Sequence, residues 1–219
     1  MTILRHHGNW MAAVAALAVA GLLSGCSGKE ERAEESPKLK QCKSLLGAGN
    51  VDAAVESAGG GDVEVAGTPQ ADVLAKSLVA EAKKWQKSDL QHTGYTGCRM
   101  DMFEGDQTSG TVDASVKWSV LSLGMLDSPE NSRTWRRANE SVFVAPEPGP
   151  ARMQLIAVCA VPGAIASQRS ELPLQFEVAG ESLGSELRWK TLSTFARSVT
   201  EEMGCAKPPV IPSALPPSA

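Results

Sequence analysis

The sequence predicts an α+β domain in which an antiparallel sheet carries two long amphipathic helices on one face. One strand alternates almost perfectly, with apolar residues on one side and polar residues on the other between Thr111 and Val120, as expected where only one face is covered. Two stretches, near residues 69–88 and 185–203, have apolar residues at helical spacing. Four of the five cysteines, those after Cys26, form an even number suited to two disulfides and complete the pattern.

The first half of the domain is predicted to contain two helices and three strands. A helix over 40–57 is weakened by two glycines and is followed by a short strand at 63–66. The second helix begins at Thr68-Pro69, because a hydroxyl cap and a proline in the first turn favour a helix start, and it ends near Ser88. Alternating apolar residues then predict strands around 98–102 and 111–120.

The second half is predicted to contribute a short helical turn, three strands and the last helix. The turn covers 128–137, the strands cover 141–145, 153–161 and 172–178, and the helix covers 185–203. Residues from Leu155 to Val161 are apolar on both faces, so this strand is expected at the centre of the sheet. Gly204 is a natural helix stop. Because each half holds a strand with a cysteine, an alternating strand and a long helix, a pseudo-duplicated domain is one interpretation.

The amino terminus has the pattern of an export signal. Arg5 precedes an apolar stretch of 14 residues, Trp10 to Leu23, which is shorter than the roughly 20 residues that a bilayer-crossing helix needs. A positive start, a short apolar region and small residues before the cleavage point are typical of a cleaved signal. Residues 1–25 are therefore predicted to be a signal peptide.

The residues Leu23-Ser24-Gly25-Cys26 resemble the lipobox of bacterial lipoproteins. The resemblance implies cleavage before Cys26, a diacylglyceryl group on the Cys26 thiol, and often a further acyl chain, such as palmitate, on the new amino terminus. Two or more acyl chains hold a protein stably on a membrane, so the protein is expected on the outer face of the cell membrane. An ordinary secretory signal followed by a chance cysteine is the alternative.

The whole chain also resembles, loosely, the uncharacterised lipoproteins of high-GC Gram-positive bacteria. This resemblance is carried by the lipobox, by the four later cysteines and by a final helix that ends at Gly204-Cys205. It implies an extracytoplasmic location, and it assigns no site residue beyond Cys26.

Composition divides the rest of the chain into three parts. Residues 26–40 are predicted to be a lipidated, disordered tether, because they have too little apolar surface to fold. Residues 41–205 are predicted to be a single α+β domain, which is long enough to bury a core. Residues 206–219 contain five prolines and are predicted to be a disordered or polyproline II tail.

The four cysteines after Cys26 are predicted to form two disulfides, because an exported chain enters an oxidising environment. Three pairings are possible. Pairing Cys42 with Cys98 and Cys159 with Cys205 is favoured, because each bridge would then tie a helix to a strand within one half. The cysteines lack the close pairwise spacing of a zinc site, and neither a metal nor another cofactor is predicted.

The net charge of the chain limits the classes of partner that are expected. Cleavage removes Arg5 and leaves 20 Lys and Arg side chains against 25 Asp and Glu, a formal charge of −5. A nucleic-acid-binding protein would need a basic field, so nucleic acid is not an expected partner. The expected partners are the membrane, through the lipid anchor, and an envelope protein or ligand that the sequence does not identify.

One segment fits a catalytic motif. Gly180-Glu181-Ser182-Leu183-Gly184 has the G-x-S-x-G pattern of a nucleophile elbow, after a strand and before a helix. Serine needs a base, normally histidine, yet no histidine follows His92. The favoured interpretation is a turn in which Ser182 or Ser185 caps the last helix. His92 is expected in a surface loop, and no catalytic residue is predicted.

Four carboxylates cluster around the glycines at 105 and 110: Asp101, Glu104, Asp106 and Asp113. Carboxylates beside such a turn could hold calcium, but their spacing lacks the regular pattern of a calcium loop, so a polar hairpin tip is favoured. A carboxylate pair that hydrolyses glycosidic bonds stays open, because the sequence does not show whether two acids converge in a cleft.

Arg133, Arg136 and Arg137 surround Trp135. Arginine side chains beside an aromatic ring suit phosphate or carboxylate groups, so these four residues are a candidate ligand or anion contact. A solvated helix face with one packed tryptophan is the alternative.

The favoured function is a non-enzymatic binding or interaction module anchored outside the cytoplasmic membrane. It is based on the anchor, the two disulfides and the incomplete catalytic motif. Two alternatives stay open. One is a cell-envelope hydrolase that uses Ser182 or a carboxylate pair, and the other is an accessory or sensory subunit of an envelope complex whose partner docks on Arg133–Arg137.

Overall fold

A computed structural model describes residues 35–67, 69–146 and 151–217, and the part from Glu35 onward forms one compact unit. The predicted signal peptide, Cys26, the first part of the tether and the helix start at Thr68 lie outside the described residues.

The described residues form six α-helices, seven strands and one 3-10 turn at Asn131–Arg133. The helices are α1 (Pro37–Leu46), α2 (Ala48–Ser57), α3 (Ala71–Lys84), α4 (Leu123–Leu126), α5 (Gln168–Glu171) and α6 (Ser185–Met203). The strands are β1 (Asp62–Ala66), β2 (Tyr95–Glu104), β3 (Gln107–Trp118), β4 (Arg136–Asn139), β5 (Val142–Ala145), β6 (Arg152–Ala157) and β7 (Leu174–Ala179).

All seven strands belong to one sheet, in the order β1-β2-β3-β7-β6-β5-β4. Every neighbouring pair is antiparallel, which confirms the predicted α+β class and the antiparallel sheet. The central strand is β7, so the prediction that β6 lies at the centre was wrong. Its apolar residues on both faces have another cause, because a second apolar cluster covers its outer side.

The main core lies on one face of the sheet. Alternate residues of β3, from Val112 to Trp118, are buried in it together with apolar residues of α1, α3 and α6. The indole Nε1 of Trp118 donates a hydrogen bond to the carbonyl of Leu78 at 3.0 Å. This bond satisfies a buried donor and fixes α3 against the sheet.

The opposite face carries a smaller apolar cluster of Leu126, Trp135, Phe143, Ala145 and Ile156. Phe143 and Ile156 are register partners, and Ile156 pairs in turn with Gln175. Gln175 pairs with Lys117, which lies between the core residues Val116 and Trp118 on β3. Because side chains alternate along a strand, this cluster lies on the face away from the main core. It covers the β5–β6 end of that face.

Both disulfides have the predicted pairing. Cys42 on α1 is bonded to Cys98 on β2, and Cys159, after β6, is bonded to Cys205, after α6. The first bridge joins a helix to a strand, the second joins the segments that follow a strand and a helix, and each lies within one half of the chain.

The predicted helix over 40–57 is two helices. Gly47 has a φ of 90°, a left-handed conformation that glycine adopts readily, and it separates α1 from α2. The first helix also begins earlier than expected, at Pro37, where the Ser36 hydroxyl accepts a hydrogen bond from the Leu39 N–H at 3.2 Å. Residues 37–40 are thus helical although the sequence suggested a disordered tether. A capping serine followed by proline favours a helix start.

The carboxy-terminal segment lies against the domain, although its composition suggested disorder. Ile211 is buried in the main core, and Leu215 packs against it. Asn139 Nδ2 donates to the Val210 carbonyl at 2.7 Å, and the Val210 N–H donates to the Ser141 hydroxyl at 3.1 Å. A proline-rich backbone makes no hydrogen bonds within itself, so its carbonyls are free to accept bonds from side chains of the domain.

Candidate functional site

The candidate site is the part of the polar sheet face that the second apolar cluster leaves uncovered, here called the open face. It is formed by β2, β3 and β7 and by the start of β6, where alternate side chains point away from the main core. Its polar residues are Arg99, Asp101, Thr111, Asp113, Ser115, Lys117, Arg152, Gln154, Gln175 and Glu177.

Four residues on adjacent strands form a row across the open face: Arg99, Asp113, Ala179 and Arg152. Neighbouring strands are about 4.8 Å apart, so Asp113 and Arg152 lie two strand spacings apart with Ala179 between them. The methyl side chain of Ala179 is too short to fill the space above it. A carboxylate and a guanidinium therefore border the same gap.

A cavity of about 520 Å³, here called the sheet cavity, opens over Ala179. Asp113 and Arg152 line it together with Thr108, Ser109 and Thr111, among others. A second cavity of about 260 Å³ shares Arg152 with it and is lined by Lys117, Gln175 and Glu177 among others. The open face thus holds two adjoining polar recesses.

Two carboxylates of the open face have partners. Asp101 Oδ1 accepts a hydrogen bond from the Thr111 hydroxyl at 3.0 Å, and its Oδ2 lies 3.7 Å from Arg99 Nε. Glu177 Oε1 lies 3.5 Å from an Arg152 guanidinium nitrogen, and its other oxygen accepts a hydrogen bond from Gln154. Both carboxylates are therefore paired with neighbouring side chains of the open face.

Asp113 differs from these two acids. Its side chain is partly buried, yet among the described residues its carboxylate makes neither a hydrogen bond nor an ion pair within 4 Å. Loss of solvent raises the pKa of Asp113 above its ordinary value of 3.8. The charges of Arg99 and Arg152 oppose this shift, and those of Glu177 and Asp101 add to it. Asp113 is thus a partly exposed carboxylate that is open to water or to a ligand and has no donor among the described side chains.

Two buried hydroxyls at the same end of the sheet also lack partners. The Oγ atoms of Ser109 and Ser182 are enclosed and form no hydrogen bond with any described residue. A Cβ at Gly110, the residue after Ser109, would come within 3.0 Å of Ser182 Oγ and of Met102 Cε. Ser109 contributes to the lining of the sheet cavity, but its Oγ is enclosed and does not face the cavity.

The suggested capping role of Ser182 or Ser185 was wrong. The helix α6 is preceded by Gly184, and no side chain caps it. The helix begins without such a cap because its buried side chains pack into the main core, and packing contributes more to helix stability than local propensity does.

A Ser182–His92 pair is excluded by the position of β2. Ser182 lies near Met102, at the end of β2, whereas His92 precedes Tyr95, at its start. The seven residue steps from Tyr95 to Met102 span about 23 Å at 3.3 Å per residue. A serine and its base must be within hydrogen-bonding distance, so Ser182 has no histidine to activate it.

His92 is not the exposed loop residue that the sequence suggested. Its side chain is only 4% exposed, and its Nδ1 lies 3.2 Å from Glu81 Oε1. The same carboxylate accepts hydrogen bonds from the Thr93 N–H at 3.3 Å and from the Tyr95 hydroxyl at 3.2 Å. Glu81 on α3 therefore fixes the loop before β2, a contact between elements that the sequence does not reveal.

The four predicted anion contacts are divided between different environments. Trp135 is buried in the second apolar cluster. Arg137 pairs with Asp127 and lies over the Phe143 ring, 4.5 Å from its centroid. Arg133 and Arg136 line a separate cavity of about 440 Å³, together with residues of the carboxy-terminal segment. The predicted turn over 128–137 is in fact a 3-10 turn followed by β4, so only Arg133 and Arg136 of these residues share a cavity.

The predicted carboxylate cluster is divided in the same way. Glu104 and Asp106 flank Gly105 in the tight turn between β2 and β3, while Asp101 and Asp113 lie further along the strands on the open face. Within the described ranges, no three His, Cys, Asp or Glu side chains are grouped closely enough to hold a metal ion.

Comparisons with protein-family models, with curated proteins and with solved structures found no match for this chain. In the part of the chain that the structure describes, no helix has the length and apolar character needed to cross a membrane.

Proposed function

We propose that this protein is a lipid-anchored binding module on the outer face of the cell membrane, and that the open face is its ligand-binding surface. The observation that carries the proposal is Asp113, a partly buried carboxylate without a partner among the described residues, beside a cavity that Arg152 also lines. Burying an ionisable group without a partner costs stability, and perturbed groups of this kind are concentrated at functional sites.

The lipid anchor is supported by the lipobox-like residues 23–26. The first described helix begins at Pro37, so ten residues separate Cys26 from the domain and can span at most about 35 Å. Two disulfides support an oxidising, extracytoplasmic location. The domain would therefore work close to the membrane surface.

Binding without catalysis is supported by the surroundings of the candidate catalytic groups. Ser182 has no base within reach, as argued above, and His92 is enclosed by Glu81 and its neighbours. The open face carries three basic and three acidic side chains on adjacent strands. Such a surface recognises a ligand by complementary charge.

A carboxylate-pair hydrolase is the second candidate. Asp113 favours it, because its raised pKa suits a general acid, while Asp101 and Glu177 already have partners on the open face. A hydrolase would convert its ligand into a product, whereas a binding module would release its ligand chemically unchanged.

We also propose that α3 and α6 cover one face of the sheet and that the two halves are pseudo-duplicates. Both helices contribute to the main core with the same alternate residues of β3, and each half has its own disulfide. An experimental structure would test this by superposing the two halves. A shared substructure of fewer than two strands and a helix would contradict the duplication.

Mass spectrometry of the membrane-extracted protein tests the anchor. The expected product begins at Cys26 and carries a diacylglyceryl thioether, whereas the Cys26→Ser variant is not acylated and leaves the membrane fraction. A wild-type product that begins at another residue, or that carries no fatty acid, would disprove the anchor.

An NMR titration tests the binding function. The ¹⁵N-labelled full chain in detergent micelles is titrated with the low-molecular-weight, water-soluble fraction of a bacterial envelope extract. Shifts are expected for backbone amides of β3 and β7 around Asp113 and Ala179, and not in the Asp113→Asn variant, with the bound component recovered chemically unchanged. The matched control, Asp106→Asn in the β2–β3 turn, should behave as wild type. No shift at the open face would contradict the binding function, and a chemically altered component would favour the hydrolase.

A further inference from the structure

We propose that the sheet cavity binds a zwitterion, namely an α-amino acid or a short peptide with free termini, whose ammonium group contacts Asp113 and whose carboxylate contacts Arg152. This inference rests on the proposed binding function and names the chemical class of the ligand.

The ammonium pole is the Asp113 carboxylate. It lines the cavity and makes no hydrogen bond or ion pair with a described residue. An ammonium group has three donors and a positive charge, so it can bond to this carboxylate. Charge-assisted bonds of this kind are the stronger ones.

The carboxylate pole is Arg152. One of its guanidinium nitrogens lies 3.5 Å from Glu177, and its side chain is 57% exposed. A guanidinium has five N–H donors in a planar fork that matches a carboxylate, so the pairing with Glu177 leaves donors for a ligand. Arg152 lines both cavities, and these donors are therefore available from the open face.

The spacing suits a small ligand. Asp113 and Arg152 are separated by two strand spacings, about 10 Å between their backbones, and both line the cavity that opens over Ala179. One or two amino-acid residues, at about 3.5 Å each when extended, are short enough for this spacing.

Other ligand classes fit less well. No aromatic side chain lines either cavity among the described residues, so no ring is available to stack on a sugar or a base. A simple anion would be repelled by Asp113 and Glu181, and a simple cation by Arg152. A ligand that carries both charges can place its positive group against Asp113 and its negative group against Arg152.

Isothermal titration calorimetry on the full chain in detergent micelles tests the inference. The probes are L-alanine, L-alanyl-L-alanine, the N-acetylated dipeptide and the dipeptide amide. The free forms are expected to bind, and each blocked dipeptide is expected to bind about tenfold or more weakly than the free dipeptide, because it loses one charge-assisted contact. The relative affinities of alanine and the dipeptide distinguish an amino-acid ligand from a peptide ligand.

Two variants assign the poles. Asp113→Asn should remove the difference between the free and the N-acetylated dipeptide, while Arg152→Gln should remove the difference between the free dipeptide and its amide. The matched controls are Asp106→Asn in the β2–β3 turn and Arg169→Gln on α5, which lie outside the cavity and should leave all four affinities unchanged.

Equal affinity of the wild type for the free and both blocked dipeptides would overturn the inference, and so would the absence of binding to all four probes at millimolar concentrations. Neither result depends on a variant that folds. If the probes fail but the envelope extract still shifts the amides around Asp113, the ligand class is wrong and the binding function stands. If both experiments fail, the proposed function is wrong as well.

Discussion

Arg197 on α6 donates a hydrogen bond to the backbone carbonyl of Pro212 at 3.0 Å. This bond attaches the proline-rich carboxy-terminal segment to the longest helix of the domain. It lies one residue beyond Ile211, whose side chain is buried in the main core. The buried side chain of Ile211 and the hydrogen-bonded carbonyl of Pro212 therefore hold two adjacent residues of the segment against the domain.

Ile211 should contribute measurably to stability. It is 8% exposed, while its neighbour Val210 is 72% exposed. We expect Ile211→Ala to lower the free energy of unfolding by about 2 kcal/mol, since it removes three buried carbon atoms, and the control Val210→Ala to change it by less than about 0.5 kcal/mol. Denaturant titration measures both. Equal effects of the two substitutions would mean that the segment does not pack on the domain in solution.

Each disulfide should stabilise the fold through its loop. The bridge between Cys159 and Cys205 closes a sequence separation of 46, and that between Cys42 and Cys98 a separation of 56. On the loop-entropy argument, each contributes about 4 kcal/mol. Replacing both cysteines of one bridge by alanine avoids a free thiol. This change should lower the guanidinium chloride concentration at the midpoint of unfolding, in proportion to the free energy of unfolding that is lost. A loss below about 1 kcal/mol for either pair would show that the unfolded chain is already constrained.

Tyr95 should ionise at unusually high pH. Burial, followed by the charge of Glu81 and its hydrogen bond, raises the pKa of Tyr95 above its ordinary value of 10.0. Since Tyr95 is the only tyrosine in the chain, ultraviolet absorbance of tyrosinate reports it directly. We expect Glu81→Gln to lower this pKa while leaving it above 10.0, because the burial persists.

The urea-unfolded chain is the reference for this titration, and its tyrosine should ionise near the ordinary value. Asp89→Asn, on the loop before β2, is a suitable control because Asp89 is not among the groups that shift Tyr95. An unchanged pKa in Glu81→Gln would show that the Glu81–Tyr95 hydrogen bond is not formed in solution.

The predictable parts of the fold are those with local signals. The boundaries of α6 follow from apolar spacing and from Gly204, which takes a left-handed conformation after the helix. The alternation in β3 likewise predicts its buried face. The order of the strands has no such signal, because β7 inserts between β3 and β6 through a long-range pairing. This explains why β6 was misplaced at the centre.

The candidate site was less predictable than the fold. The sequence singles out Asp113 as one of four clustered acids, but it does not predict Arg152, because a register across β3, β7 and β6 brings the two together. Of the residues 133–137, Arg133 and Arg136 line one cavity, whereas Trp135 is buried and Arg137 pairs with Asp127, since β4 begins within this segment. Proximity along the chain therefore predicted only part of the grouping in space.

The ionised carboxylate of Asp113 should lower the free energy of unfolding at neutral pH. Its pKa is raised mainly by loss of solvent, so between the ordinary value of 3.8 and the raised value the folded state binds a proton more readily than the unfolded state. Stability then falls as the pH rises through this interval. We expect Asp113→Asn, which mimics the protonated acid, to be more stable than wild type at pH 7 by a few tenths to about 1 kcal/mol, a small effect because solvent screens a partly exposed charge.

The difference should disappear below the ordinary pKa of 3.8, where both chains carry a neutral side chain at position 113. Denaturant titrations at pH 3 and pH 7 measure it, with Asp106→Asn as a control that should show no gain at either pH. A variant that loses stability at pH 7 would mean that the carboxylate has a partner in solution. We expect Asp113→Asn to be more stable than wild type at pH 7 and to bind the dipeptide less well. This combination is typical of a residue that is kept for function at the expense of stability.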